Sequence, residues 1–214
     1  MSAADDPERV LLVYGLWMNP LAMYPLGFGL RRCGFAVSVF RYPTVRSPIE
    51  DNAKRLAAWI AGAKARVLHL VGHSLGGVVI LRALAQGADP RVKRVVLLGT
   101  PVAGSLAGRS FGQTRLGRWM LGKTLPVWHA GSPPAVAAGV EIGVLAGNLP
   151  IGLGRLVTRL PCPHDGAVTV AETRLEGASD SVVLRVNHTG MLFSARVSSQ
   201  VCAFLHHGRF RHSG

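Results

Sequence analysis

The sequence predicts an α/β chain built on a doubly wound, mostly parallel sheet with helices on both faces. Three observations carry that expectation. Short apolar runs recur at residues 10–13, 35–40, 67–71, 95–98, 140–145 and 181–186, several of them apolar throughout, as a parallel strand buried on both faces should be. Stretches with helical spacing stand between the early runs, and parallel neighbours need such crossovers. The segment Gly72-His73-Ser74-Leu75-Gly76-Gly77-Val78 fits G-x-S-x-G and stands between the third run and a helix-like run at 78–85, the context that gives this short motif its meaning.

Taken in order, the first strand runs straight into Tyr14-Gly15-Leu16-Trp17. Asn19-Pro20 reads as a cap followed by a first-turn proline, opening a helix that ends at Arg31-Arg32 with Gly34 just beyond. After the second strand, Ser47-Pro48-Ile49-Glu50 reads as a capping box. Ala53, Leu56, Ala57 and Ile60 then recur at helical spacing until Gly62. The third strand leads to the serine turn and its helix, and the fourth follows. From residue 101 to 138 the pattern breaks into Gly, Pro, Arg and Trp; this irregular segment is expected to lie over the carboxyl ends of the strands as the rim of a site. The fifth and sixth strands come next. A closing helix places Phe193, Val197, Val201, Phe204 and Leu205 on one face before Gly208.

At 214 residues and 49% hydrophobic, residues 1–214 read as a single domain with a sizeable core and no internal repeat. The 24 Lys plus Arg outnumber the 11 Asp plus Glu, for a formal charge of +13, so anionic surfaces should attract the chain. The basic residues are scattered and not interleaved with aromatics, which argues against nucleic-acid binding. Trp119 and Trp128 in the irregular segment suit an interface, so peripheral association with anionic membrane is expected. Residues 1–9 carry Asp5, Asp6 and Glu8 where a cleaved secretory signal would begin basic and turn apolar. Cys33, Cys162 and Cys202 are odd in number and widely spaced, which implies no disulfide framework; buried thiols and a cytoplasmic location are the expectation. Residues 133–154 carry only Glu141 as a charge and are long enough to cross a bilayer, but their prolines and glycines mark a strand with flanking loops.

Ser74 is the candidate nucleophile. A serine hydroxyl attacks poorly unless a tight turn holds it beside a base, and Gly72 and Gly76 flank it where a strained backbone leaves no room for a Cβ. The turn also aims the Leu75 amide, at a helix N-terminus, toward negative charge developing on a carbonyl oxygen. A strand-to-helix turn that merely contains serine is the bland alternative. The base should come from the carboxyl end of another strand, and His188 directly follows the last one. His69, His73, His206, His207 and His212 fall inside elements, in the turn or at the chain's end; His129 and His164 sit in loops and stay open. The acid is expected to be Asp165, in the loop between the fifth and sixth strands. Asp180 and Glu172 are its rivals, the first at the wrong end of the last strand and the second unplaced. Ser, Asp, His is the chain order of one known triad arrangement. Trp17, Met18 and Met191 are the expected substrate contacts. Cys162, His164 and Asp165 match no paired zinc-ligand spacing, so no metal and no cofactor are expected.

On these residues the chain resembles the α/β-hydrolase superfamily over nearly its whole length, most of all small bacterial esterases and lipases with a minimal lid. The serine turn 72–76, Val13-Tyr14-Gly15-Leu16-Trp17, Asp165-Gly166 and Asn187-His188-Thr189-Gly190 carry the resemblance. It implies that the Leu16 amide completes the oxyanion hole with Leu75, although Tyr14 stands where that family commonly has histidine. It further implies a serine hydrolase that cleaves carboxylic esters through an acyl-enzyme. A thioesterase or lipid deacylase with the same triad, and a catalytically silent scaffold acting as a binding protein, are the alternatives.

Overall fold

Val10, Leu11, Leu12 and Val13 are all fully buried, which is possible only for a strand covered on both faces. They belong to the first of six strands in the computed structural model, which describes residues 7–129, 139–152 and 158–212. The strands are β1 (Arg9–Val13), β2 (Ala36–Phe40), β3 (Leu68–His73), β4 (Val92–Leu98), β5 (Glu141–Gly147) and β6 (Asp180–Leu184). They form one sheet in the order β2-β1-β3-β4-β5-β6, and every pairing is parallel. All six expected strands are present, with no end shifted by more than three residues. No helix among the described residues is long and apolar enough to cross a membrane. Of the apolar stretch 133–154, the described part contributes β5, as expected.

The order of the strands determines where the helices go. The chain steps one way from β1 to β2 and the other way from β2 to β3 and onward, and right-handed crossovers then put the helices before and after that reversal on opposite faces. Helix α1 (Tyr24–Arg32) packs on the last helix, α7 (Ala195–His207), while α2 (Ile49–Gly62) packs on α3 (Leu75–Leu84). Between β1 and β3 the direction reverses, leaving a crevice beyond their carboxyl ends, the usual place for a ligand in an open α/β sheet.

Several local expectations change. Asn19 caps as expected, its side chain accepting from the Leu21 amide at 2.9 Å, but the turn it opens is a 3-10 turn, Pro20–Met23, ahead of α1. The capping box at Ser47 does not form. Pro48 holds the cap position with ψ 154 and no side-chain bond, so Ser47 lies one residue too early, and Glu50 and Asp51 complement the helix dipole instead. Val197, Val201, Phe204 and Leu205 are buried as expected, but Phe193 is 65% exposed. It follows a 3-10 turn, Gly190–Leu192, and precedes the Ser194 cap of α7, so the periodicity of the helix does not extend to it.

The largest corrections concern the cysteines and the irregular segment. Cys33 and Cys202 are joined in a disulfide and the free Cys162 is exposed, not three buried thiols. Position explains the bond: Cys33 ends α1 and Cys202 sits on α7, which shares its face of the sheet. A Cys33–Cys202 disulfide removes the reason to expect a reducing compartment. The described part of 101–138 is mostly helical, as α4 (Leu106–Gly112), α5 (Arg115–Leu121) and α6 (Leu125–Trp128). Ser105 and Thr114 are side-chain N-caps, accepting from Gly108 and Gly117 amides at 3.0 and 2.8 Å.

Candidate active site

Ser74 occupies the single position between β3 and α3, with φ 54 and ψ −124. A residue with a Cβ adopts such a backbone only when its surroundings enforce it, at a cost of order 1–3 kcal/mol. Two contacts do so here. The Ser74 amide donates to Leu98 of β4 at 2.9 Å, and α3 starts so close to β1 that a Cβ on Gly76 would overlap the carbonyls of Val13 and Tyr14. Ser74 is 9% exposed, and its Oγ makes no hydrogen bond with another described residue.

Histidine and acid meet at the same edge. His188, beyond the end of β6, donates Nδ1–H to Asp165 Oδ2 at 2.7 Å, and its amide donates to the Asp165 carbonyl at 2.9 Å. The other carboxylate oxygen accepts from Ala167 and Val168 amides at 2.9 and 2.7 Å. Burial alone would push the Asp165 carboxyl up; the charge and hydrogen bond of His188, with the two amides, more than offset it and hold it below the usual carboxylate range. An ionised Asp165 can only accept, so Nδ1 carries the proton and Nε2 is left as a base. Gly99, at the tip of β4 with φ +52, passes beneath the pair: a Cβ there would stand 3.0 Å from Asp165 Oδ2 and 3.1 Å from His188 Nδ1.

His73, set aside in the sequence as a turn residue, supports the base from below. Its Nε2–H donates to the His188 carbonyl at 2.9 Å, with ring centroids 4.7 Å apart. Burial, then the neighbouring His188, lowers its pKa to about 3, so His73 is neutral and its second nitrogen, unpartnered and buried, lies near Gly15. Nothing in the sequence distinguishes this histidine from any other residue at the variable position of the motif.

The loop after β1 closes the other side. A Cβ on Gly15 would lie 3.0 Å from Ser74 Cβ, so Leu16 is held beside the serine. Tyr14, where the resemblance leads one to expect histidine, holds this loop by pairing with Tyr42. The Tyr14 hydroxyl donates to the Tyr42 carbonyl at 2.8 Å and accepts from its amide at 2.9 Å; the Tyr42 hydroxyl donates to the Tyr14 carbonyl at 2.6 Å. The rings stack at 4.9 Å, and burial, then Tyr14, pushes the Tyr42 hydroxyl far above its ordinary range. Neither the Leu16 nor the Leu75 amide bonds to another described residue, and Leu75 opens a helix, where the first amides have no intrahelical acceptor.

The expected substrate contacts separate. Trp17 has φ 58, is half exposed, and donates its Nε1–H to the Met120 carbonyl at 2.9 Å while meeting Phe111 edge-on; it joins the early loop to α4 and α5. Met18 is partly buried against the core. Met191 is not brought to the surface of the site. It is fully buried, packed with Asp165 against Gly147, because the 3-10 turn after His188 points it into the core beneath the acid.

The rival acids are occupied elsewhere. Asp180 opens β6 at the amino edge of the sheet, where it pairs with His212 and accepts from the Phe210 amide. Glu172 accepts from the Thr169 amide at 2.7 Å, the Thr169 hydroxyl at 2.9 Å and the Leu106 amide. It therefore clamps the start of α4 to the loop that carries Asp165, a role with no signal in the sequence. His164 accepts from the Gly166 amide through Nδ1, and His129 is exposed past α6.

The strained Ser74 at its strand-to-helix turn and the His188–Asp165 pair thus lie at the carboxyl edge of one parallel sheet. Residues 10–195 match the alpha/beta hydrolase family, and the chain belongs to it. No curated protein matches the sequence. Solved structures share its fold: the mature lipase BlEst2 of Bacillus licheniformis is 20% identical, covering 94% of this chain and 93% of its own at a TM-score of 0.74. The metagenomic carboxyl esterase MGS0156 is 18% identical, covering 86% and 65% at 0.67. Carboxylesterase CesB of Bacillus subtilis is 14% identical, covering 94% and 84% at 0.62.

Proposed function

We propose that the protein is a serine hydrolase that cleaves carboxylic esters through an acyl-enzyme. The observation that carries the reading is the His188–Asp165 pair, its acid buried and joined at 2.7 Å, at the same sheet edge as the strained Ser74. The names of the neighbours, a lipase and two carboxyl esterases, favour an ester as the bond attacked. Ser74 Oγ attacks the carbonyl carbon while His188 Nε2 takes its proton, and the tetrahedral oxyanion forms toward the Leu16 and Leu75 amides. Collapse breaks the bond to the alcohol, which leaves with the proton from His188. Water then attacks the acyl-serine, His188 again takes and returns a proton, and the carboxylic acid departs with Ser74 restored. Asp165 keeps the imidazole in the productive tautomer and stabilises its charged form. Residues 101–129 form the rim; the remainder of the expected segment, 130–138, lies outside the described residues.

A fluorophosphonate probe, with a series of aryl esters of increasing acyl length, tests this reading. The wild-type protein should be labelled and turn the esters over, and Ser74→Ala should do neither, with kcat reduced by several orders of magnitude. Labelling of Ser74→Ala, or turnover within about tenfold of wild type, would overturn the assignment.

A further inference from the structure

The charges on the rim differ from those elsewhere in the fold. Residues 101–129 contain Arg109, Arg115, Arg118 and Lys123 and no acidic residue. All four are exposed, and none pairs with a carboxylate among the described residues. At the amino edge of the sheet, by contrast, Glu8, Asp89, Glu141 and Asp180 each have a basic partner. The start of α2 carries the exposed Glu50 and Asp51, and the adjoining loop from β2 adds the exposed Arg41 and Arg46. Lys123 meets this loop directly, its amide donating to Val45 at 3.0 Å. Helices α4 and α5, the turn after them, and this loop with the start of α2 together carry these six cations and two anions, a net of +4.

Apolar side chains stand among those cations. Helix α5 turns Gly117 and Leu121 inward and presents Leu116 and Trp119, 59% and 79% exposed, on the same outer surface as Arg115 and Arg118. Trp128, by contrast, is buried with its Nε1–H on Thr124 and contributes nothing to the surface. The half-exposed Trp17 joins the patch through its bond to Met120. Exposed tryptophan among unpaired cations matches the chemistry of a lipid headgroup layer with anionic lipid.

We propose that the outer face of α5, with its flanking cations, docks the protein on anionic lipid bilayers and sets the rim of the site against the membrane. Only the consequence for lipid-like ester substrates rests on the function proposed above; binding itself does not. Co-sedimentation of Ser74→Ala protein with phosphatidylcholine vesicles, and with vesicles containing phosphatidylglycerol, reads binding without turnover. Binding should be at least about tenfold tighter to the anionic vesicles and should fall at high salt, because surface charges are screened within about 10 Å at 0.1 M. In the same background, Arg115→Gln with Arg118→Gln should remove about tenfold of that binding. Trp119→Ser should weaken it further, and Lys54→Gln with Arg55→Gln on α2 should leave it unchanged. In otherwise wild-type protein, these α5 variants should turn over a soluble short-chain ester at the wild-type rate. Equal binding to both kinds of vesicle, no binding, an equal loss in the α2 control, or retention on an anionic polymer without vesicle binding would each overturn the docking surface. Fluorophosphonate labelling of the wild type reports separately on the proposed chemistry.

Discussion

Two Asp–His pairs stand at opposite ends of β6, and only one shares its edge with Ser74. Asp165–His188, beyond the carboxyl end, joins side chains 1% and 15% exposed at 2.7 Å; Asp180–His212, at the amino end, joins side chains 18% and 56% exposed at 3.0 Å. Both carboxyls lie below the usual range. In each case burial raises the value and neighbours more than offset it: the His188 charge for Asp165, the Phe210 amide for Asp180. An Asp–His pair alone therefore does not mark a site. What differs is that the first pair is water-poor, where hydrogen bonds to charge are strong, and shares its edge with Ser74. The second ties the end of the chain to an edge strand.

The contrast is tested most strongly by Asp165→Asn. An amide does not favour the Nδ1–H tautomer, and the comparable loss in a serine protease is about 10⁴-fold in kcat. Steady-state turnover of an aryl ester is the measurement, and a loss under about tenfold would mean that burial of this pair has no catalytic role.

A second test uses the histidine under the site. His73 has a folded pKa of about 3 against about 6.5 in an unfolded chain. Between those values the unfolded state binds a proton that the folded state does not. The stability this gives is full above pH ~6.5 and is lost as pH falls, by about 3 kcal/mol on reaching pH ~4.5. Urea midpoints measured at the two pH values should therefore converge in His73→Gln, leaving the smaller slope from His69, whose pKa burial also lowers. An unchanged slope would show that His73 is not the acid-sensitive element of this edge.

The smallest effect belongs to Asp180→Asn. Turnover should stay within about twofold, and stability should change by less than about 1 kcal/mol, as for other partly exposed pairs. If this variant lost activity while Asp165→Asn kept it, the acid would have to be reassigned.

Ser74 and His188 were legible because each stands just past a fully or largely apolar run, and chain order with strand polarity is enough to bring strand ends to one edge; Asp165 was legible only as an acid in the loop between the last two strands. The supports were not, because they join residues remote in sequence through the fold itself. Tyr14 reaches Tyr42 and Glu172 reaches Leu106 only once the sheet has formed. The helices between 106 and 128 were hidden by glycines. Gly108 stands where a Cβ would lie 2.8 Å from the Trp128 ring, and Gly117 where one would overlap Phe111, so these glycines serve packing while weakening the helical pattern. Phe193 misled in the opposite sense, matching a periodicity that begins only after it.

The Cys33–Cys202 bond spans 169 residues, and that span orders events during synthesis. A ribosome delivers the chain from its amino end, so β1 to β5 and the serine turn are all available for pairing before Cys202 exists. The bond can close only on a sheet whose first and last helices already lie side by side. It acts as a latch on a finished fold, and reducing it would leave the order of assembly unchanged while making the assembled state easier to reopen.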